Sequence, residues 1–208
     1  PDPVEGVIHR DETTGQPTGL LFEMAGYLRQ RLGATRDPAA FQGGVHNLNN
    51  TLLSYGITSV QDAGPDNGID RRQTFTELQS SGALQCRVTM FAGASRLQEF
   101  QDAGLSWGEG GDQLRLGHAK IMLTLTTGAL EPNFESLSEL VDNAHRSGFP
   151  VAIHAIEEEA IAASIQALAD AAPLASTDPI HPVDRIEHCA ECPPQLVSKL
   201  AKLGCIVV

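Results

Sequence analysis

Three residues of the kind that hold metals or activate carbonyls stand at even intervals in this chain: Lys120, His154 and His188, each 34 residues from the next. Each falls within a short apolar run, at residues 119–125, 151–156 and 184–189. Neutral imidazole is a good ligand for zinc and similar ions, and two imidazoles on neighbouring strand ends can converge on one ion. A lysine among Ala119, Ile121 and Met122 is costly to bury while charged. Burial lowers its pKa and frees the amine as a nucleophile or base. The competing readings are structural: a salt-bridged lysine and hydrogen-bonded strand histidines. Asp62 also closes an apolar run, at residues 57–62.

Equal spacing implies equivalent places in a repeated unit, and the intervening residues supply one. β-branched runs begin near 57, 86, 119, 151, 184 and 205, a period of roughly 30 residues, which one strand-helix unit of a (β/α)₈ barrel occupies. Helices are expected between them. Asp37 followed by Pro38 reads as an N-cap with proline at the first helical position, and Phe41, Val45, Leu48 and Leu52 form one apolar stripe ending at Gly56. Further helices are expected over 70–81, with Phe75 and Leu78 inward, and more weakly over 95–103. A helix capped by Ser136 buries Leu137, Leu140, Val141 and Ala144. Another over 157–172 buries Ile161, Ile165 and Leu168, and Pro193-Pro194 open the last, lined by Leu196, Val197, Leu200 and Leu203. Residues 1–36 form the least regular segment, with a turn at 11–19 between extended pieces and a modest helix over 20–32. Residues 37–208 form the main body.

Continuous apolar strands alternating with amphipathic helices imply an α/β fold with a helix-covered parallel sheet. The expectation is a partial (β/α)₈ TIM-type barrel of six parallel strand-helix units. An open doubly wound sheet is the alternative. In a parallel barrel the site lies at the C-terminal strand ends, where Asp62, Lys120, His154 and His188 fall.

Composition narrows the function classes. With 41% hydrophobic and 19% charged residues among 208, the chain reads as one globular domain, and no window approaches the roughly 18 apolar residues of a membrane span. A net charge of -12 and a pI near 4.9 repel a phosphate backbone, so nucleic-acid binding is not expected and a small-molecule partner is. Cys86, Cys189, Cys192 and Cys205 read as reduced, partly buried thiols, and the expected compartment is the cytoplasm. Cys189-Ala-Glu-Cys192 lacks the second pair of a structural zinc site. His118, two residues before Lys120, reads as a hydrogen-bonded strand histidine or a support to the site. His9, His46, His145 and His181 read as solvated. The chain begins at Pro1 without Met, so an upstream segment is expected to be missing.

The stretches GITSVQD (56–62), VAIHAI (151–156) and DRIEHC (184–189) resemble those of the amidohydrolase superfamily, in particular its amidohydrolase 3 branch (YtcJ-like, N-substituted formamide deformylase-like). The likeness runs from the GQPTG turn (15–19) to the terminal GCIVV (204–208). It implies that Lys120, His154 and His188 are metal ligands, with Asp62, His118 and Glu187 beside them or facing substrate. It further implies that Lys120 reacts with carbon dioxide to give a carbamate bridging one or two divalent ions, zinc foremost. The metals would acidify a water and polarise a carbonyl, hydrolysing an amide or related C–N bond.

No His-x-His pair precedes the first strand, and the family's catalytic aspartate would lie beyond Val208. The chain therefore resembles strands two to seven of a longer enzyme, with no catalytic residue of its own and no turnover expected alone. Its unpaired sheet edges are expected to promote self-association. TLTTG (124–128) and Glu157-Glu158-Glu159 depart from the family's usual Asp-Gly and Gly-Asp. The alternative function is a non-catalytic barrel-like module that binds a ligand or partner.

Overall fold

The computed structural model of the chain describes residues 6–32, 37–125, 128–174 and 183–208. His181, and with it the expectation that it is solvated, lies outside these residues, as do Thr126 and Thr127.

The first elements are an antiparallel hairpin, β1 (Val7–Arg10) and β2 (Pro17–Phe22), and helix α1 (Ala25–Leu32). The expected helix over 20–32 is thus shortened: Leu21 and Phe22 pair with Ile8 and Val7, and the hairpin ladder takes these residues. Asp11 sets the turn, its Oδ1 accepting from the backbone of Thr13 and Thr14.

Helix α2 (Pro38–Ser54) starts at the expected cap, with the Asp37 side chain accepting from Ala39 N at 2.9 Å. Its docked face differs from the expected stripe. Phe41 and Leu48 are 36% and 53% exposed, whereas Val45, Asn49 and Leu52 face the protein. The spacing is still helical, but the central position is polar: Asn49 Oδ1 accepts from Gln85 N at 2.8 Å, a bond that a leucine there could not make.

A regular alternation follows: β3 (Ser59–Asp62), α3 (Ile69–Ser80), β4 (Arg87–Gly93), a 3₁₀ turn at Ala94–Arg96 running into α4 (Leu97–Asp102), β5 (Leu114–Met122), α5 (Phe134–Arg146), β6 (Val151–Ala155), α6 (Glu158–Asp170), β7 (Arg185–His188), α7 (Pro194–Leu203) and β8 (Ile206–Val207). Helix α5 is capped three residues earlier than expected, by Asn133, whose Oδ1 accepts from Ser136 N at 2.9 Å. Ser136 is therefore the capped residue, not the cap, because Phe134 and Glu135 join the helix.

The six strands β3 to β8 pair in sequence order and all in parallel. A doubly wound sheet reverses its strand order partway; this one does not, so the crossovers put the helices on one face. That face holds the core: Met90, Ala92, Ala119, Ile121, Ile153 and Ile186 pack against Leu97, Leu137, Val141, Ile161, Ile165 and Leu200.

The other face is polar and strongly curved. β3 and β7 lie four strand spacings apart, about 19 Å in a flat sheet at ~4.8 Å per strand. Yet Arg185 Nη1 on β7 donates to Gln61 Oε1 on β3 at 3.1 Å, and the Arg185 guanidinium lies 5.2 Å from the centre of the Phe91 ring on β4. Two side chains span that gap only if the sheet curls, so the fold is a half-barrel of the TIM type with a polar inner wall.

Candidate metal centre

Register fixes which residues share the inner wall. Lys120 stands opposite Gly93 and Ala152, and His154 opposite Met122 and Glu187. Because side chains alternate along a strand, Arg185, Glu187, His154, Ala152, Lys120, Gly93 and Phe91 line the same face.

A bulge adjusts β5 beside this group. Its register slips between the Met90–Leu116 and Ala92–Ala119 pairs, leaving an extra residue at Gly117-His118. A Cβ on Gly117 would come within 2.7 Å of Phe91 Cδ1 and 2.9 Å of Thr89 Cγ2. Only glycine leaves room for the Phe91 ring there. His118 then rests 5.2 Å from the Phe91 ring centre and 6.5 Å from that of Trp107. Its Nε2 lies 3.0 Å from Val183 O. A carbonyl only accepts, so Nε2 carries the proton. Burial holds the ring's pKa below its usual value despite that bond.

Lys120 is only 5% exposed. Burial pushes its pKa down, against the field of Glu187 and with that of Arg185. Among the described residues it makes no ion pair, because Glu187 is held by Arg185, Nε to Oε1 at 2.9 Å. No ion pair to Lys120 is thus present among the described residues, although the Glu187 carboxylate still acts on it through its field.

His154 and His188 meet edge to face, their ring centres 4.6 Å apart and their planes at 76°. Parity alone would not bring them together, since His188 stands opposite Ala155, in the row that faces the helices. The backbone redirects it. His188 has φ 73° and Cys189 φ 50°, left-handed values costing about 1–3 kcal/mol for residues other than glycine. Three bonds hold this bend: His188 N to Val208 O at 2.7 Å, Cys189 N to Ala155 O at 3.0 Å, and Glu191 N to Ile156 O at 2.9 Å. Burial, then His188 and Lys120, lower the His154 pKa, while Glu157 and Glu187 oppose them. A neutral imidazole beside a second imidazole and a buried amine is a donor set suited to a divalent ion.

Of the residues singled out in the sequence, Lys120, His154, His188 and Glu187 gather in one electrostatic neighbourhood. His118 stands on its flank. Asp62 pairs with Met90 in the helix-facing row, and the β3 residue that reaches the inner wall is Gln61. Sequence reasoning missed Gln61 and Arg185; the signal for Arg185 was its place two residues before Glu187 on one strand face. It also misplaced His145, which is buried rather than solvated, 4% exposed. His145 Nε2 lies 3.1 Å from Asp184 Oδ1 and Nδ1 2.8 Å from Ala172 O, at the strand ends opposite the histidine pair. Among the described residues no group of three or more His, Cys, Asp or Glu side chains is placed to hold a metal; the set here is two histidines and a lysine. No helix among the described residues is long and apolar enough to cross a membrane.

Two solved structures share the fold. An uncharacterized metal-dependent hydrolase from Pyrococcus furiosus superposes with a TM-score of 0.68 at 19% identity, over 95% of this chain and 43% of that one. An uncharacterized metal-dependent hydrolase from Pyrococcus horikoshii OT3 gives 0.69 at 18% identity, over 95% of this chain and 42% of that one. The chain thus spans less than half the length of the structures it matches. No curated protein sequence matches it. A sequence model of the amidohydrolase family matches residues 1–207, and the chain belongs to that family.

Proposed function

We propose that this chain carries one side of the active site of a metal-dependent hydrolase that cleaves an amide or related C–N bond in a small substrate, with Lys120, His154 and His188 holding one or two divalent ions, zinc foremost. The observation that carries the reading is the His154–His188 pair, rings 4.6 Å apart at the C-terminal ends of adjacent strands, beside the buried Lys120. Such a metal supplies Lewis acidity, acidifying water and polarising a carbonyl.

The chain's own residues prepare the site. Burial raises the neutral fraction of the Lys120 amine, whose lone pair can add to the carbon of carbon dioxide and release a proton, giving a carbamate. That reaction turns a buried cation into an anionic oxygen donor. Arg185 keeps Glu187 occupied and so leaves Lys120 free to react. The strained backbone at His188 aims its imidazole at His154.

Zinc titration of the metal-stripped chain tests the reading. Binding is expected to weaken at least tenfold in both His154→Ala and His188→Ala. Labelled bicarbonate is expected to give a carbamate carbon resonance in the wild type that Lys120→Ala lacks. Zinc affinity unchanged by both histidine substitutions would overturn the assignment.

A further inference from the structure

The thiols behind His188 have no part in the proposed hydrolysis, yet two of them stand at the two ends of one tight turn. Cys189 and Cys192 flank a turn centred on Ala190 and Glu191. The ends of such a turn lie within about 7 Å, and a disulfide needs Cα atoms roughly 4.4–6.8 Å apart. The two thiols are close enough for each to act on the other's charge, while Cys192 Sγ lies 3.9 Å from Pro193 O. The turn is braced by the Cys189 N–Ala155 O and Glu191 N–Ile156 O bonds, so little further ordering is needed to close the ring. Both residues are partly exposed and open to a small oxidant.

The other two cysteines are engaged elsewhere. Cys86 is 1% exposed, its Sγ 3.2 Å from Ile57 O. Cys205 directs its Sγ toward Leu200 O of α7 at 3.9 Å.

We infer that Cys189 and Cys192 form a redox modification site, a dithiol that a hydroperoxide or a low-molecular-weight disulfide converts reversibly to an intramolecular disulfide. With a hydroperoxide, one sulfur attacks the peroxide oxygen and expels alkoxide, giving a sulfenic acid. The second sulfur displaces hydroxide from it, forming the S–S bond. The two thiol protons leave on the alkoxide and hydroxide, so two thiols and one hydroperoxide give one disulfide, one alcohol and one water. Burial, followed by the neighbouring thiols, pushes Cys189 up to about 11, which slows its attack; the product is the same whichever sulfur moves first. The site lies one residue beyond His188, so the disulfide fastens the segment that carries that imidazole, and it stands whether or not the metal reading holds.

The test is thiol counting and peptide mapping of the folded 208-residue chain exposed to hydrogen peroxide or oxidised glutathione. Trypsin releases residues 186–199 with both cysteines on one peptide, apart from Cys86 on 73–87 and Cys205 on 203–208. Free thiols are expected to fall from four to two. Peptide 186–199 is expected to lose two hydrogen atoms, and dithiothreitol to restore them. Cys205→Ser is expected to retain the reaction and Cys192→Ser to abolish it. Linkage of 186–199 to 203–208, direct over-oxidation to sulfinic acid, or survival of both thiols would each overturn the proposal. The wild-type map decides even if a variant fails to fold.

Discussion

The buried pair at the strand ends opposite the histidines makes the chain's stability depend on pH in a direction that its geometry dictates. His145 faces acceptors on both sides, Asp184 Oδ1 at 3.1 Å and Ala172 O at 2.8 Å. Both bonds can form only when both ring nitrogens carry protons. Burial opposes that charge, but the Asp184 hydrogen bond and field, the Ala172 carbonyl and the Asp142 field outweigh it and raise the pKa above 6.5. A group whose folded pKa is raised stabilises fully below its unfolded pKa, and the contribution fades as pH rises through the folded value. For His145→Ala, the charged bond is worth about 1.5–3 kcal/mol and the bond to the carbonyl about 0.5–1.5 kcal/mol. The loss at pH 6 should therefore be about 2–4.5 kcal/mol. At pH 9 a neutral ring donates only once, and the gap should shrink to about 1 kcal/mol. Asp184→Asn retains an acceptor for Val151 N, now bonded at 2.8 Å, and should flatten the pH dependence. Urea unfolding followed by circular dichroism at both pH values gives the two gaps. A gap that is constant or widens with pH would refute the reasoning.

Other outcomes follow from the same structure. Arg185→Met leaves Glu187, 13% exposed at its side chain, without its cation and cuts the tie to Gln61; a loss of about 3–5 kcal/mol is expected, read by the same unfolding assay. Phe149→Ala empties a fully buried position between α5 and β6 and should cost about 3–5 kcal/mol. The edge strand β8 exposes Ile206 and Val207, each by 49%, so the isolated chain is expected to self-associate, and Val207→Lys to shift its sedimentation toward monomer. A panel of small amides is expected to show no hydrolysis by this chain alone, and measurable turnover would count against the view that further ligands are required.

Much of the fold was legible because two periodicities kept reappearing. Leu137, Val141 and Ala144 lie on one helical face, Ile161, Ile165 and Leu168 on another, and all are buried as expected. The misreadings share a cause: a polar residue in an apolar pattern takes its meaning from a partner distant in sequence. His145 stands four residues after Val141, on the buried face of α5, so its burial was available in the spacing. Its partner Asp184 is 39 residues away and was not. Asn49 occupies the middle of the docked face of α2 because Gln85 N, 36 residues on, needs an acceptor.

The even spacing of Lys120, His154 and His188 describes their place in the repeat but not their height or aim. Lys120 pairs with Ala152, two residues before His154, whereas His188 pairs with Ala155, one residue after it. The three therefore climb the inner wall, from a lysine 5% exposed, through a partly buried imidazole, to an exposed one at the rim. This depth order suits chemistry that needs an uncharged amine inside and ligands near solvent. The odd step of one residue puts His188 in the wrong row for His154. Only the positive φ at 73°, fastened by Val208 O, Ala155 O and Ile156 O around the bend, turns it back. A left-handed conformation at a histidine leaves no trace in an apolar pattern, so the pairing on which the metal reading rests comes from the hydrogen bonds of β6, β7 and β8 acting together.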